Sequence, residues 1–273
     1  MRPGRQRILS YIDSTICHER RIIYMKEALV FGRTLPEAYH AALRELSRNG
    51  EISDCADWNT TQRELSMTFQ VAEPLGEPMI SKLFIGGPEE LEQYRQEMLD
   101  GILDFEVAAG KWAYTYHERM AEQFPFIVEE LKRNPSSRRA VLLIRDWRKD
   151  CASEDPACLQ HIQYFIRNGK LDCIVTFRSN DACKATYMNA FALIMLQARF
   201  ADQLGVGVGT YTHRANSFHC YEKDFGMLDG YCRRIETEDI DDLTFDYEDG
   251  WKDMMEDAQA EIAARVEELK TRS

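Results

Sequence analysis

The chain has no run of about eighteen apolar residues, so no stretch of it is long enough to cross a bilayer as a helix. It has no excess of positive charge either. Against 34 Lys and Arg stand 46 Asp and Glu, a formal net charge of −12. A field of that sign repels a phosphate backbone, which speaks against nucleic acid as a partner and obliges an anionic substrate to find a local basic site. The eight cysteines, at 17, 55, 151, 158, 173, 183, 220 and 232, include no CxxC pair and none at zinc-ligand spacing with histidine, so no metal is expected. The N-terminal "MRPGRQRILSYIDSTICHERR" is basic but lacks the apolar stretch of a signal peptide. A cytoplasmic setting with reduced thiols follows as the expectation. Internal repeats, low-complexity tracts and Gly/Ser linkers are also missing, which leaves one domain over residues 1–273 as the simplest organisation.

What is present is an ordinary globular balance, 44% hydrophobic and 29% charged residues. Thr34-Leu35-Pro36-Glu37 has the form of a capping box with proline just inside a helix, and Asn49-Gly50 stops that helix. "ELSMTFQVA" alternates Leu65, Met67, Phe69 and Val71 inward, as a half-buried strand does. A helix is predicted after Pro88, another over about 121–133, and "RRAVLLIRDW" reads as a buried β-rich run. "YMNAFALIMLQARFADQLG" is apolar nearly all round and predicts a buried helix; the charged stretch from Trp251 to Lys270 predicts an amphipathic one. "GVGVGTYTH" follows a helix instead of opening one, so it reads as a loop into a strand and not as a phosphate-binding loop. In "YTYHERM", Tyr114, Tyr116 and His117 read as a polar strand edge. Helices and strands mix without strict alternation, an α+β pattern built on one sheet.

The most informative segment is "LQHIQYFIRNGKLDCIVTFRS", two strand-like runs joined by Asn168-Gly169, whose residues suit the positive φ of a tight hairpin turn. Pairing Arg167 with Lys170 and counting back sets Cys158 opposite Ser179 and Leu159 opposite Arg178. A thiol, a hydroxyl and a guanidinium thus meet at one end of a sheet, and a nearby positive charge favours the nucleophilic thiolate. Ideal pleating puts Arg178 on the face away from Cys158, so a β-bulge is needed to bring them together. On residue type alone Cys158 reads as a small buried thiol, as Cys173 and Cys183 are expected to be; Pro156 and the facing "FRSND" bring the functional reading level with it. His161 falls on the other face from Cys158, which counts against a Cys–His hydrolase. Arg138 and Arg139 in "NPSSRR" carry planar forks suited to phosphate, but as strand neighbours they face opposite ways and serve one site only if the chain is irregular or they reach a second subunit. His219 and Tyr221 share one strand face.

Taken in order, "NPSSRR", "PACLQHIQYFIRNGKLDCIVTFRSND", Asn189 and "YTHRANSFHCY" resemble the thymidylate synthase family, which includes the nucleotide hydroxymethylases. The resemblance covers residues 111–225 best and is closest to the archaeal-type branch. It implies an α+β fold with a mixed sheet covered by helices, one sheet face serving dimerisation. It implies Cys158 as the nucleophile that adds to C6 of a pyrimidine, with Tyr116 and Arg178 assisting. Asn189 would read the pyrimidine edge. Arg178, Ser179 and, from a partner subunit, Arg138 and Arg139 would hold the phosphate. His219 and Tyr221 would bind the sugar, and Asp181 the folate co-substrate. The implied reaction moves a one-carbon unit from 5,10-methylenetetrahydrofolate to C5 of a pyrimidine nucleoside monophosphate, dUMP giving dTMP. The alternative is a hydroxymethylase acting on dUMP, CMP or dCMP, in which water captures the same intermediate. An amide at 189 favours uracil, since the family's cytidylate enzymes carry aspartate there. Leu159 stands where the family's histidine follows the nucleophile, Arg63 is the candidate third phosphate ligand, and no glutamate of "EELEQYRQEMLDG" is assigned. The terminal "EELKTRS" lacks the apolar tail that closes bacterial synthases, which keeps the hydroxymethyl product in view. A nucleotide-binding protein without catalysis is the reading from another class, and the presence of Cys158 with both arginines opposes it.

Overall fold

The computed structural model describes residues 25–272. The N-terminal stretch read for targeting, Cys17 included, lies outside them. The strands in chain order are β1 (Glu27–Gly32), β2 (Glu51–Cys55), β3 (Thr60–Val71), β4 (Ile80–Ser81), β5 (Val141–Leu143), β6 (Leu159–Arg167), β7 (Lys170–Phe177), β8 (Asn180–Asp181), β9 (Gly207–Tyr221) and β10 (Thr244–Phe245). The helices are α1 (Leu35–Asn49), α2 (Pro88–Asp100), α3 (Asp104–Ala108), α4 (Tyr116–Met120), α5 (Phe124–Arg133), α6 (Trp147–Asp150), α7 (Thr186–Leu204), α8 (Phe225–Thr237) and α9 (Lys252–Arg272).

One mixed sheet runs in the order β1-β3-β9-β7-β6-β5, with β2 on β3 and β8 on β9; β4 and β10 form a separate pair. Its register sorts the side chains into two faces. Leu65, Met67, Phe69 and Val71 of β3 are fully buried, as their alternation predicts, and join Tyr211, Cys173, Val175, Ile162 and Tyr164 in the core. Helix α7 packs over this face and is itself buried along most of its length, with α1 and α2 beside it. The opposite face sets Leu29 beside Thr68, Arg214 beside Thr176, and Ile174 beside Gln163. On it Leu29, Phe31 and Leu143 are 58%, 64% and 60% exposed.

Several expectations needed correction. Thr34 precedes α1, but its hydroxyl caps nothing; Glu37 instead accepts from the Arg33 N–H at 2.7 Å, one residue earlier than a capping box requires. Tyr116 and His117 open helix α4 and do not lie on a strand edge, because Thr115 Oγ1 accepts from the Glu118 N–H at 2.9 Å and caps a helix there. The buried β run after Arg139 shortens to the three residues of β5, with Leu143 exposed. Among the described residues no helix is long and apolar enough to cross a membrane.

Candidate active site

The hairpin forms as read: Asn168 and Gly169 both take positive φ, and Arg167 pairs with Lys170. The pairing sum holds as far as His161–Thr176, then slips, and Leu159 lies opposite Phe177. Gln160 is the extra residue of a β-bulge. The cause is visible in "LQHIQY". Counted from the turn, strict alternation would keep Ile162 and Tyr164 inward but turn Leu159 out together with His161. The bulge instead buries Leu159, Ile162 and Tyr164 and leaves His161 on the outer face, opposite Leu143 and Thr176. Burying a Leu side chain is worth about 2 kcal/mol, and His161 on the outer face stays only half-buried. The consequence for the site is that Cys158 meets Arg178 and not Ser179; the Arg178 N–H donates to the Cys158 carbonyl at 2.8 Å.

The Arg178 guanidinium folds back over the loop before the thiol. Its Nε donates to the Ala157 carbonyl at 3.2 Å and its Nη2 to the Pro156 carbonyl at 2.6 Å, with Asp155 Oδ1 at 3.4 Å. Cys158 is half-buried and packs against the core. Burial pushes its thiol above the ordinary value, Arg178 pulls it down and Asp155 pushes it up again. Burial outweighs the arginine: Arg178 favours the thiolate as expected, but the thiol of the free protein still lies above its ordinary value. Iodoacetamide alkylation of Cys158, followed by peptide mass spectrometry, is expected to climb with pH to a midpoint above that of a free cysteine. Arg178→Ala is expected to move that midpoint higher still, and a midpoint below the free thiol's would contradict this account.

Parallel pairing of β7 with β9 brings their C-terminal ends together, and β8 continues the contact by setting Asn180 against Phe218 and Asp181 against His219. Ser179 Oγ lies 3.3 Å from His219 Nδ1, and the His219 and Tyr221 rings stand edge to face at 4.8 Å. Burial lowers the His219 pKa, so the ring is neutral near pH 7. Asp181 Oδ1 accepts from the Cys183 and Lys184 N–H groups at 3.0 and 2.9 Å, which fixes the carboxylate and keeps Oδ2 for another donor. Behind them His213 is fully buried between Phe69 and Phe177, and its Nε2 lies 2.9 Å from Asn180 Oδ1. Burial takes its pKa down to about 3, so the Ser179–Asp181 segment rests on a neutral, stacked ring.

Three tyrosines gather near the thiol. Tyr114 and Tyr116 have ring centroids 5.7 Å apart, and with Tyr94 and Glu97 of α2 they line a cavity of about 210 Å³. Burial raises all three phenols, Tyr114 to about 12, so they keep their protons near pH 7. Tyr94 donates to Asn189 Oδ1. Tyr94 and Glu97 carried no role in the sequence reading. Their three-residue spacing on α2, in phase with Leu91 and Met98, is the signal that puts them on the inward face. Glu97 is the acidic residue of that helix that reaches the cavity, with its pKa raised by burial; Glu92 faces Arg95, Gln96 and Gln259 instead.

Two groups lie elsewhere in the same chain. Arg63 pairs with Cys220, the face of β9 away from His219 and Tyr221, and its guanidinium is engaged by the Ser47 carbonyl and the Phe225 ring. It is not a third phosphate ligand in this arrangement. Arg138 and Arg139 precede β5 in irregular backbone, so strand alternation does not govern them. The Arg138 carbonyl accepts from Gln163 at 2.9 Å, five residues along β6 from Cys158. That is about 15 Å at ordinary strand rise. Arg139 Nε pairs with the buried Glu130 at 3.0 Å, and both Arg138 and Arg139 are exposed.

Comparison with known proteins fits this architecture. The family model described as thymidylate synthase matches residues 89–263, more than half of the chain. A relative from Methanocaldococcus jannaschii, named "Putative thymidylate synthase", is 31% identical over 72% of this chain and 93% of its own length. Thymidylate synthase 1 of Bacillus subtilis is 28% identical over 63% of this chain and 60% of its own length. The solved structure of the thermostable thymidylate synthase A from Bacillus subtilis shares the fold, with a TM-score of 0.58 at 16% identity over 73% of this chain and 84% of that one. Fold and matches define an α+β enzyme of the one-carbon transferase class. The chain belongs to the thymidylate synthase family.

Proposed function

We propose that the protein methylates dUMP to dTMP, taking the one-carbon unit from 5,10-methylenetetrahydrofolate through a covalent bond between Cys158 Sγ and pyrimidine C6. The observation that carries the proposal is the bulge at Gln160, which sets Cys158 against Arg178 beside the Ser179–His219–Tyr221 group. C5 of a pyrimidine is a weak nucleophile. Addition of the Cys158 thiolate at C6 forms the C–S bond and moves the ring π electrons onto the C4 oxygen as an enolate, and C5 then attacks the activated methylene. Loss of the C5 proton and departure of the folate nitrogen leave an exocyclic methylene. Hydride from the folate reduces it to methyl, expulsion of Cys158 restores the ring, and the folate leaves as dihydrofolate. Splitting one hard substitution into these steps is the gain from the thiol.

In this account Ser179 and Arg178 bind phosphate, where exchange of the long Asp155 contact for a phosphate oxygen frees one guanidinium edge. His219 and Tyr221 hold the sugar hydroxyl, and Asn189 reads the base. The uncommitted Oδ2 of Asp181 suits an N–H of the folate pterin. Tyr116, protonated near pH 7, serves as a hydrogen-bond donor that orients water for C5 deprotonation and not as a phenolate base. Arg138 and Arg139 reach a partner's phosphate across a homodimer formed on the outer sheet face, where Leu29, Phe31 and Leu143 lie open. The main apolar cluster extends from Leu35 to Met255, which supports one domain. The seven described cysteines are unpaired, in keeping with a reducing cytoplasm.

Incubation with dUMP and methylenetetrahydrofolate is expected to give dTMP and dihydrofolate in equal amounts, followed by chromatography and absorbance, with dCMP and CMP as controls. A 5-hydroxymethyl nucleotide with tetrahydrofolate regenerated would reassign the enzyme as a hydroxymethylase. No C5-modified product from any of the three nucleotides would refute the proposal.

A further inference from the structure

Asn189 lies in the first turns of α7 and is 4% exposed. Tyr94 reaches it from α2, and the phenol donates to Asn189 Oδ1. Tyr94 is half-buried, and desolvation lifts its pKa far above the ordinary phenol value, so the hydroxyl keeps its proton across the working pH range. A side-chain amide has an acceptor end and a donor end that a half-turn exchanges. Here the acceptor end faces Tyr94, which leaves the donor end outside that contact. No protein group among the described residues accepts from Asn189 Nδ2. Turning the amide over would set Nδ2 against the phenol oxygen and leave the Tyr94 proton without an acceptor inside the protein, which is costly in a buried site.

We infer that Tyr94 is a positioning residue that sets base specificity: by donating to Asn189 Oδ1 it locks the amide with its NH₂ toward the ligand, so the site accepts a pyrimidine bearing a 4-oxo group and rejects one bearing a 4-amino group. The inference rests on the proposed role of Asn189 as the group that reads the base. A 4-oxo pyrimidine offers an acceptor to the NH₂, and its N3–H is taken by the second lone pair of Oδ1. A 4-amino pyrimidine offers its own donor there, and two donors meet. Turning the amide would relieve that clash, and Tyr94 opposes the turn. Phenylalanine at 94 keeps the ring and removes only the lock.

The test is calorimetric binding of dUMP and dCMP to the wild type, Tyr94→Phe, Asn189→Ala and the double variant. The wild type is expected to prefer dUMP. Tyr94→Phe is expected to narrow that preference about tenfold or more, chiefly by tightening dCMP, since one buried unsatisfied hydrogen bond no longer penalises the turned amide. In the Asn189→Ala background the Tyr94→Phe change is expected to leave the ratio unaltered, because the two residues act as one unit. A Tyr94→Phe protein that keeps the full wild-type preference would overturn the inference and leave the nucleotide reading intact. A wild type that binds both nucleotides equally would do the same. A wild type that binds neither would overturn the nucleotide reading itself, and this inference with it.

Discussion

Cys158→Ser is expected to bind dUMP within a few-fold of the wild type and to turn it over about a thousandfold more slowly or worse, a barrier increase of about 4 kcal/mol. The reason lies in the first bond formed. A serine hydroxyl is nearly isosteric with the thiol, so the Arg178 contacts to Ala157 and Pro156 have no cause to move. Its proton, however, is far harder to remove in a half-buried site that already pushes the more acidic thiol upward. Without an anion at this position C6 is not attacked and C5 is not activated. Steady-state assay of the purified variant checks the rate, and calorimetry checks binding. Wild-type turnover in Cys158→Ser would sink the covalent mechanism. Equal loss of binding and rate would instead make Cys158 a packing residue.

The second large effect concerns Arg138. In one chain its backbone is bonded five residues along β6 from the thiol, about 15 Å away at ordinary strand rise. Arg138→Ala is nonetheless expected to weaken dUMP binding about ten- to a hundredfold, the usual loss for a charge-assisted hydrogen bond to phosphate. Arg138 is a cleaner probe than Arg139, whose removal would strip a partner from the buried Glu130. If the arginine serves the partner subunit, an inactive Cys158→Ser chain mixed with an Arg138→Ala chain forms heterodimers with one intact site. Random exchange, assayed at dUMP well below the weakened Kd so that Arg138→Ala homodimers contribute little, should then recover about one quarter of wild-type activity. No recovery after confirmed subunit exchange would show that Arg138 acts within its own chain or not at all.

Much of the fold was legible because its signals are local and periodic. The two-residue repeat of Leu65, Met67, Phe69 and Val71, the all-round apolar character of α7 and the Asn168-Gly169 turn each state a backbone conformation within a few residues. The ordered motifs around Cys158 likewise pointed to the family that the comparisons support. Local signals failed where two of them competed. Thr34 has the form of a cap, yet Glu37 bonds the residue before it. Tyr116 sits among polar and aromatic residues that suit a strand, yet the Thr115 hydroxyl starts a helix.

Turn chemistry and hydrophobic period, which act over a handful of neighbouring residues, set the elements, the hairpin that carries the thiol and the chemical types gathered at its end. Tertiary packing alone decided which of those groups meet. The one-residue slip at Gln160 buries Leu159, along with Ile162 and Tyr164, against a core contributed by other strands, and it exchanges Ser179 for Arg178 as the neighbour of Cys158. Burial by distant segments raises the thiol that the adjacent charge would have lowered. Tyr94 meets Asn189 across ninety-five residues of chain, a contact that follows from how α2 lies on α7. Pairing, burial and long-range hydrogen bonding are sums over groups far apart in the chain, so no window of the sequence contains them.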